Sequence, residues 1–334
     1  MDDRYFDSEN EPSLQPELSL SKHHFHEFQE QVLRGRRIAR EKRAVICGLA
    51  RDLEWILPKT LQRLKRLGEM FADYRIVIYE NDSKDRSKII LDDFQRRNSR
   101  LHVLCDSLGD PPNQSVRCLR RVERMAKYRN RYREYVAENF ADFDYTIVAD
   151  LDLPGGWSES GVAHTFGHSE WDFVGSNGLI TKKYLVGEKL LQFDAWAFRT
   201  DGSYETLSTR EVNYLRWRLD VGLIPVFSCF GGLGIYRMPA MLSCVYAGGD
   251  CEHVHFHREM RRQGMTNLFL NPFQVTDYHV KYSRARRWFN HIERWRQKLF
   301  GTELTNRDSI LKGEPLFDRD QQGSLISGAR ISND

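Results

Sequence analysis

The chain has 334 residues, 40% of them hydrophobic, enough to bury a sizeable core as one large α/β domain or a domain with appendages. Its 50 Lys and Arg nearly balance its 47 Asp and Glu, so the net charge of +3 points to no partner class. No stretch approaches the roughly 18 apolar residues of a membrane helix, and the opening MDDRYFDSEN is too acidic and polar for a signal peptide. The six cysteines form no C-x-x-C pair and read as scattered thiols of a reducing compartment, although their even number alone does not exclude disulfides. A soluble, cytoplasmic protein is the expectation.

Residues 1 to about 20 read as a polar, loosely ordered extension. A helix is expected over 23–43, ending in the basic run Arg34, Arg36, Arg37, Arg40, Lys42 and Arg43. Such a run reads as a solvated face, with a nucleic-acid or lipid-phosphate patch as the alternative. AVICGL at 44–49 is the first strand. A helix follows with Leu57, Leu61, Leu64 and Phe71 at helical spacing and Pro58 near its start. RIVIYE at 75–80 is a second strand, stopped by Asn81, Asp82 and Ser83 before a helix to Arg97, and LHVLC at 101–105 is a third. Strand and helix alternating in this way predict a parallel, Rossmann-like sheet. No G-x-G-x-x-G follows the first strand, which argues against a dinucleotide-binding dehydrogenase.

A long helix is expected over 115–139. Arg129 shares a face with Met125, Tyr132 and Val136, and an arginine in an apolar stripe needs a partner. That partner is a carboxylate such as Asp150, making a structural ion pair, or a bound phosphate. In the second case Arg124 or Arg129 holds a diphosphate beside a metal. The strand YTIVA at 145–149 then runs into Asp150, Asp152 and a Pro-Gly-Gly break. Residues two apart in extended chain face the same way, and two carboxylates there repel unless a proton or cation lies between them. A hard divalent ion is the usual resolution; a polar turn is the alternative.

Further on, strands are expected over 171–176 and 193–199, a helix over 206–219, and a strand over 226–237 bulged at Gly231, Gly232 and Gly234. In DCEHVHFH at 250–257, extended chain would put His253, His255 and His257 on one face, with Asp250 and Glu252 alongside. No zinc spacing fits, so one histidine is expected to complete a site shared with Asp150 and Asp152, or to serve in acid/base work. A helix over 283–300 carries Trp288, Ile292, Trp295 and Leu299 on one face, for docking onto the core or for contact with a membrane surface. The tail beyond it reads as disordered.

Taken together, AVICGLARD at 44–52, YENDSKDRS at 79–87, RMAKYRN at 124–130, DYTIVADLD at 144–152, DAWAFR at 194–199, FGGLGIYR at 230–237 and CEHVHFH at 251–257 resemble the capsule-associated fungal mannosyltransferases, the cryptococcal α-1,3-mannosyltransferase family. They resemble the collagen-modifying glycosyltransferases more loosely. The likeness covers roughly residues 44–282. It implies an α/β GT-A glycosyltransferase fold: a mostly parallel, Rossmann-like nucleotide-sugar-binding half over 44–153 fused to an acceptor-binding half over 154–282. Residues 1–43 and 283–334 would be extensions. The likeness also implies a nucleotide-sugar donor, a glycan acceptor, and Mn²⁺ or Mg²⁺. By motif match, Asp150 and Asp152 are the metal pair, with His253 or His255 as further ligand candidates. Glu80, Asn81 and Asp82 lie near the nucleoside, and Arg124 and Arg129 near the diphosphate beside Asp150. Asp250, Glu252 and Asp194 are candidates for the carboxylate an inverting enzyme needs; the resemblance favours retention. No stretch corresponds to the membrane anchor typical of the fungal Golgi enzymes, so compartment, donor and acceptor do not carry over with the motifs. The alternatives are a nucleotidyltransferase making nucleotide sugars, for which GLARDLEW is a poor match, and a non-catalytic binder of nucleic acid or anionic glycans.

Overall fold

A computed structural model describes residues 21–113, 118–218 and 222–282. The helix expected over 283–300 and the tail lie outside the described residues.

The first half follows the expected alternation. Helix α1 (Lys22–Ala39) leads into β1 (Arg43–Ala50), α2 (Leu57–Gly68), β2 (Asp73–Asn81), α3 (Ser87–Arg97), β3 (Leu101–Asp106), α4 (Leu119–Asn139) and β4 (Tyr145–Asp150). The four strands stand parallel in the order β3-β2-β1-β4. The runs of Val, Ile, Leu and Ala in β1, β2 and β4 are buried on both faces, as a parallel sheet between helix layers requires, while the edge strand β3 is only partly covered. Pro58 sits in the first turn of α2, where its missing N–H is not needed.

Beyond β4 the sheet continues as β10 (Leu233–Arg237), β6 (Phe173–Lys183), β11 (Leu268–Tyr282), β9 (Ile224–Ser228) and β8 (Arg199–Thr200). Strand β5 (Gly156–Trp157) pairs with β11, and β7 (Glu188–Gln192) with β6. Here only β6 and β11 run parallel; β10 is antiparallel to both β4 and β6. Four short helices complete the described residues: α5 (Glu159–Gly167), α6 (Thr209–Asn213), α7 (Met238–Ser243) and α8 (Glu252–Arg262). One apolar cluster, with Leu57, Leu61, Leu64, Ile76 and Phe166, fills one face of the sheet. A second, with Tyr132, Val136, Tyr236, Val254 and Phe256, fills the other. The α/β fold class is therefore as expected. No helix among the described residues is long and apolar enough to cross a membrane.

Four local expectations are corrected. Residues 250–257 form no strand: Glu252 opens α8, so His253 and His257 share a buried helical face while His255 points elsewhere. Residues 193–198 are a turn rather than a strand, with Asp194 at φ 75°. The stretch 226–237 is two strands, β9 and β10, joined by a turn at Gly231 and Gly232 (φ 64° and 88°). The helix expected over 206–219 shrinks to α6, opened by a capping box between Ser208 and Glu211.

Candidate active site

The strand order places the site. The chain moves outward from β1 through β2 to β3, then returns to the other side of β1 as β4. At β1 and β4 the strand order reverses, the place where open α/β sheets bind ligands beyond the strands' carboxyl ends. Leu49 of β1 is in register with Asp150 of β4, so Asp150 stands at that place.

Asp150 is held from several directions. Its N–H donates to the Gly232 carbonyl at 2.8 Å. The Tyr278 hydroxyl donates to Oδ2 at 3.2 Å, and Arg129 Nη2 lies 3.6 Å from Oδ1. Burial and the charge of Asp152 push the carboxyl up to about 7 against the pull of Arg129. With 28% of the side chain still exposed, solvent moderates that rise. Asp152, two residues on, is exposed. The loop after it is pinned from α2: Arg63 donates to the carbonyls of Leu153 and Pro154, each at 2.9 Å. A Cβ on Gly156 would meet that guanidinium at 2.7 Å, so the Pro-Gly-Gly break is what lets Arg63 in.

Arg129 of α4, 4% exposed, joins Asp150 to Glu252 at the start of α8, its Nε 3.1 Å from Oε1. Its charge also lies over the Phe230 ring, 5.3 Å from the centroid. The expected stripe is real, and its arginine has carboxylate partners. Asp194 completes the group: Oδ2 accepts from the Gly231 N–H at 2.9 Å, and Oδ1 from the Ala197 N–H at 3.4 Å. Burial raises its carboxyl to about 6 despite these bonds. A Cβ on Gly231 would stand 2.1 Å from the Ser176 carbonyl, so only glycine makes this turn.

The remaining candidates fall in three places. Asp250 binds Arg199 through both oxygens (3.0 and 2.9 Å), and Arg199, 0% exposed, also donates to the carbonyls of Trp196, Phe198 and Tyr204. That commits Asp250 to an ion pair with Arg199 Nη2. Glu80, Asn81 and Asp82 end β2 on the same sheet edge as Asp150. Glu80 accepts from the Ser83 N–H and lies 3.5 Å from Lys88 Nζ. Asp82, at φ 56°, gathers the N–H groups of Leu108, Gly109 and Asp110. Burial would raise its carboxyl, but these bonds and the Asn81 amide hold it down to about 2. Arg124 of α4 has a buried Nε without a hydrogen-bond partner among the described residues.

His253 and His257 of α8 go into the core, and His255 does not join them. His253 stacks on Phe230 with centroids 3.8 Å apart, and His257 bonds Ser228 and Tyr236. Burial lowers both rings, His257 to about 3. Among the described residues no three His, Cys, Asp or Glu side chains form a group that could hold a metal alone. A hard cation held by one or two carboxylates plus a substrate's phosphate oxygens needs no such group, and Asp150 with Asp152 fits that pattern. Tyr278, Arg63 and Arg199 were not singled out from the sequence. The signal available for Tyr278 was its place in the QVTDYHVKY run, after a Pro that masks the strand.

Neither a protein-family model nor a curated protein sequence matches the chain. Solved structures do resemble it. The Pyrobaculum calidifontis mannosyltransferase in complex with GDP-Man and Mn²⁺ aligns over 87% of this chain and 77% of its own, with 10% identity and a TM-score of 0.43. GalNAc-T7 with UDP, GalNAc and Mn²⁺ aligns over 92% and 67%, with 11% identity and a TM-score of 0.45. Glucosyl-3-phosphoglycerate synthase from Mycobacterium tuberculosis, in complex with phosphoglyceric acid, aligns over 85% of each chain, with 14% identity and a TM-score of 0.41. These likenesses are remote.

Proposed function

We propose that this chain is a metal-dependent GT-A glycosyltransferase, moving a sugar from a nucleoside diphosphate to a glycan or glycoconjugate hydroxyl, with GDP-mannose as donor and retention of configuration. The observation that carries it is the carboxylate excess beyond the ends of β1 and β4: Asp150, Asp152 and Asp194 with Glu252 around one buried guanidinium. A cluster of that sign fits a divalent cation that a diphosphate brings or meets. Asp150 and Asp152 would hold Mn²⁺ or Mg²⁺, which supplies Lewis-acid stabilisation of the charge developing on the departing diphosphate.

The chain's own residues divide the remaining work. Arg129 and Tyr278 fix the two oxygens of Asp150, so its orientation is set before a donor arrives. Arg124 is the more available cation for the diphosphate, because Arg129 is already committed to two carboxylates. Glu80, Asn81 and Asp82 stand on the edge where a nucleoside would lie. Asp194 holds an acceptor or donor hydroxyl in a retaining reaction; in an inverting one it is the carboxylate placed to take the proton. The free thiols of all six cysteines fit a cytoplasmic setting.

A thermal-shift panel tests this: GDP, UDP, GDP-mannose and UDP-sugars, each with and without Mn²⁺. A Mn²⁺-dependent rise in Tm with one nucleotide is expected, since a ligand binding only the folded state stabilises it by mass action. Asp152→Asn abolishes that rise and leaves the unliganded Tm within about a degree. No shift with any nucleotide overturns the proposal and favours a binding module; nucleoside triphosphate turnover favours the nucleotidyltransferase.

A further inference from the structure

The β6–β7 hairpin has a tip that turn chemistry does not explain. Its connection is closed by a bond from the Tyr184 N–H to the Gly187 carbonyl at 3.0 Å, and Gly187 supplies the positive φ, 75°. Between them stand Leu185 and Val186, where short polar residues and glycine best serve a tight turn. Val186 is 92% exposed and Leu185 48%. Aliphatic side chains exposed to this degree gain little burial there. They gain free energy only on entering an apolar phase.

The surroundings of the tip say which phase. Lys182, Lys183 and Lys189 lie on the hairpin's two strands. The segment 210–216 is laid along β7 by Asn213, which donates to the Gln192 carbonyl, and by Arg216, which donates to the Leu190 carbonyl. Together the two segments carry five basic residues (Lys182, Lys183, Lys189, Arg210 and Arg216) against Glu188 and Glu211. Lys182 Nζ stands 5.4 Å from the Tyr184 ring, and Lys189 Nζ stands 4.7 Å from the ring of Tyr214, itself 52% exposed. An aliphatic tip backed by two tyrosine rings that lie against the paired Lys182 and Lys189 matches a bilayer face, with the acyl boundary beyond and an anionic headgroup level behind.

We propose that the β6–β7 tip is a docking element for an anionic lipid surface, with Val186 and Leu185 entering the acyl boundary and the lysines meeting acidic headgroups. The strand that leaves the tip reaches Asp194 only two residues after Gln192 ends β7. From Val186 to Asp194 the chain spans at most about 26 Å. Docking therefore brings the candidate site within reach of an acceptor carried on the membrane face. This inference concerns binding alone and stands or falls apart from the glycosyltransferase reading, because its test uses no donor.

The test is co-sedimentation of the full chain with phosphatidylcholine vesicles, with and without phosphatidylserine. Wild type is expected to partition at least tenfold better onto the acidic vesicles, with the gain lost at high salt. Val186→Asp lowers binding about tenfold without changing Tm, Lys182→Glu with Lys189→Glu lowers it by a similar factor or more, and Val186→Trp raises it. If wild type ignores both vesicles, or if Val186→Asp and Val186→Trp bind as wild type does, the proposal is overturned. It is likewise overturned if light scattering shows a dimer that Val186→Asp converts to monomer, for then the tip meets a second copy of the chain.

Discussion

Arg129 shows how far one side chain can be committed. Its guanidinium touches Asp150, Glu252 and Tyr132, and with 4% exposure it has little else to bind. Removing one member of a buried ion pair leaves the others uncompensated, at a cost of about 3–5 kcal/mol. Arg129→Ala should therefore lower stability by roughly that amount in urea unfolding, and weaken nucleoside-diphosphate binding through the loss of Asp150's orientation. Arg124→Ala should weaken diphosphate affinity alone, about tenfold or more, while leaving unfolding nearly unchanged. Calorimetry on both variants separates the two roles; equal losses of affinity and stability in each would sink the division.

At the level of elements, the contact of α1 with α5 depends on an absent methyl group. A Cβ on Gly35, in the last two turns of α1, would stand 1.7 Å from the Ala163 carbonyl. Helix propensity favours Gly35→Ala by about 1 kcal/mol, but the carbonyl belongs to another helix and cannot move alone. Overpacking of this kind costs about 1–3 kcal/mol or more. Gly35→Ala should therefore lower Tm; an unchanged or raised Tm would mean that α1 is free to move off α5. The same elements show what was legible in the sequence. The strands β1, β2 and β4 announce themselves because both faces are buried and turn residues bound each apolar run. The histidines at 253, 255 and 257 have period two, yet 253 and 257 are also one helical turn apart, and the apolar Val254 and Phe256 complete a buried helical face. Strand β11 hides behind Asn271 and Pro272, where its pairing with β6 shifts register, and its buried Gln274 and Thr276 read as polar although each is hydrogen-bonded inside. Asp150 was visible as a strand end. Asp194 was named without its setting, since neither its positive φ nor its bond to Gly231 follows from local pattern.

For the whole molecule, buried neutral histidines set an acid limit. His164, His253 and His257 are 4%, 3% and 0% exposed, and burial lowers all three, His164 and His257 to about 3. Their folded pKa values lie below the unfolded value near 6.5, so below that pH the unfolded chain takes up protons the folded one refuses. Their stability is fully present above about 6.5 and is lost as pH falls toward 3. Between pH 6.5 and 5.5 each costs about 1 kcal/mol, opposed over the same range by Asp150 and Asp194, whose raised carboxyls take up protons first in the folded state. Urea unfolding of wild type and His257→Gln at these two pH values isolates one ring: the variant should lose about 1 kcal/mol less than wild type over the interval, and an identical pH dependence in the two proteins would show that this ring is open to solvent.

The order of the strands also bears on how the protein is made. Strand β4 is flanked on its outer side by β10, and β6 by β11, whose residues leave the ribosome roughly a hundred positions after their partners. The parallel half can assemble while synthesis continues, but until Leu233 emerges β4 presents an open apolar edge, and Asp150 lacks the Gly232 carbonyl and the Tyr278 hydroxyl that hold it. A nascent chain stalled between β4 and β10 thus exposes the segment most prone to pair with a neighbour.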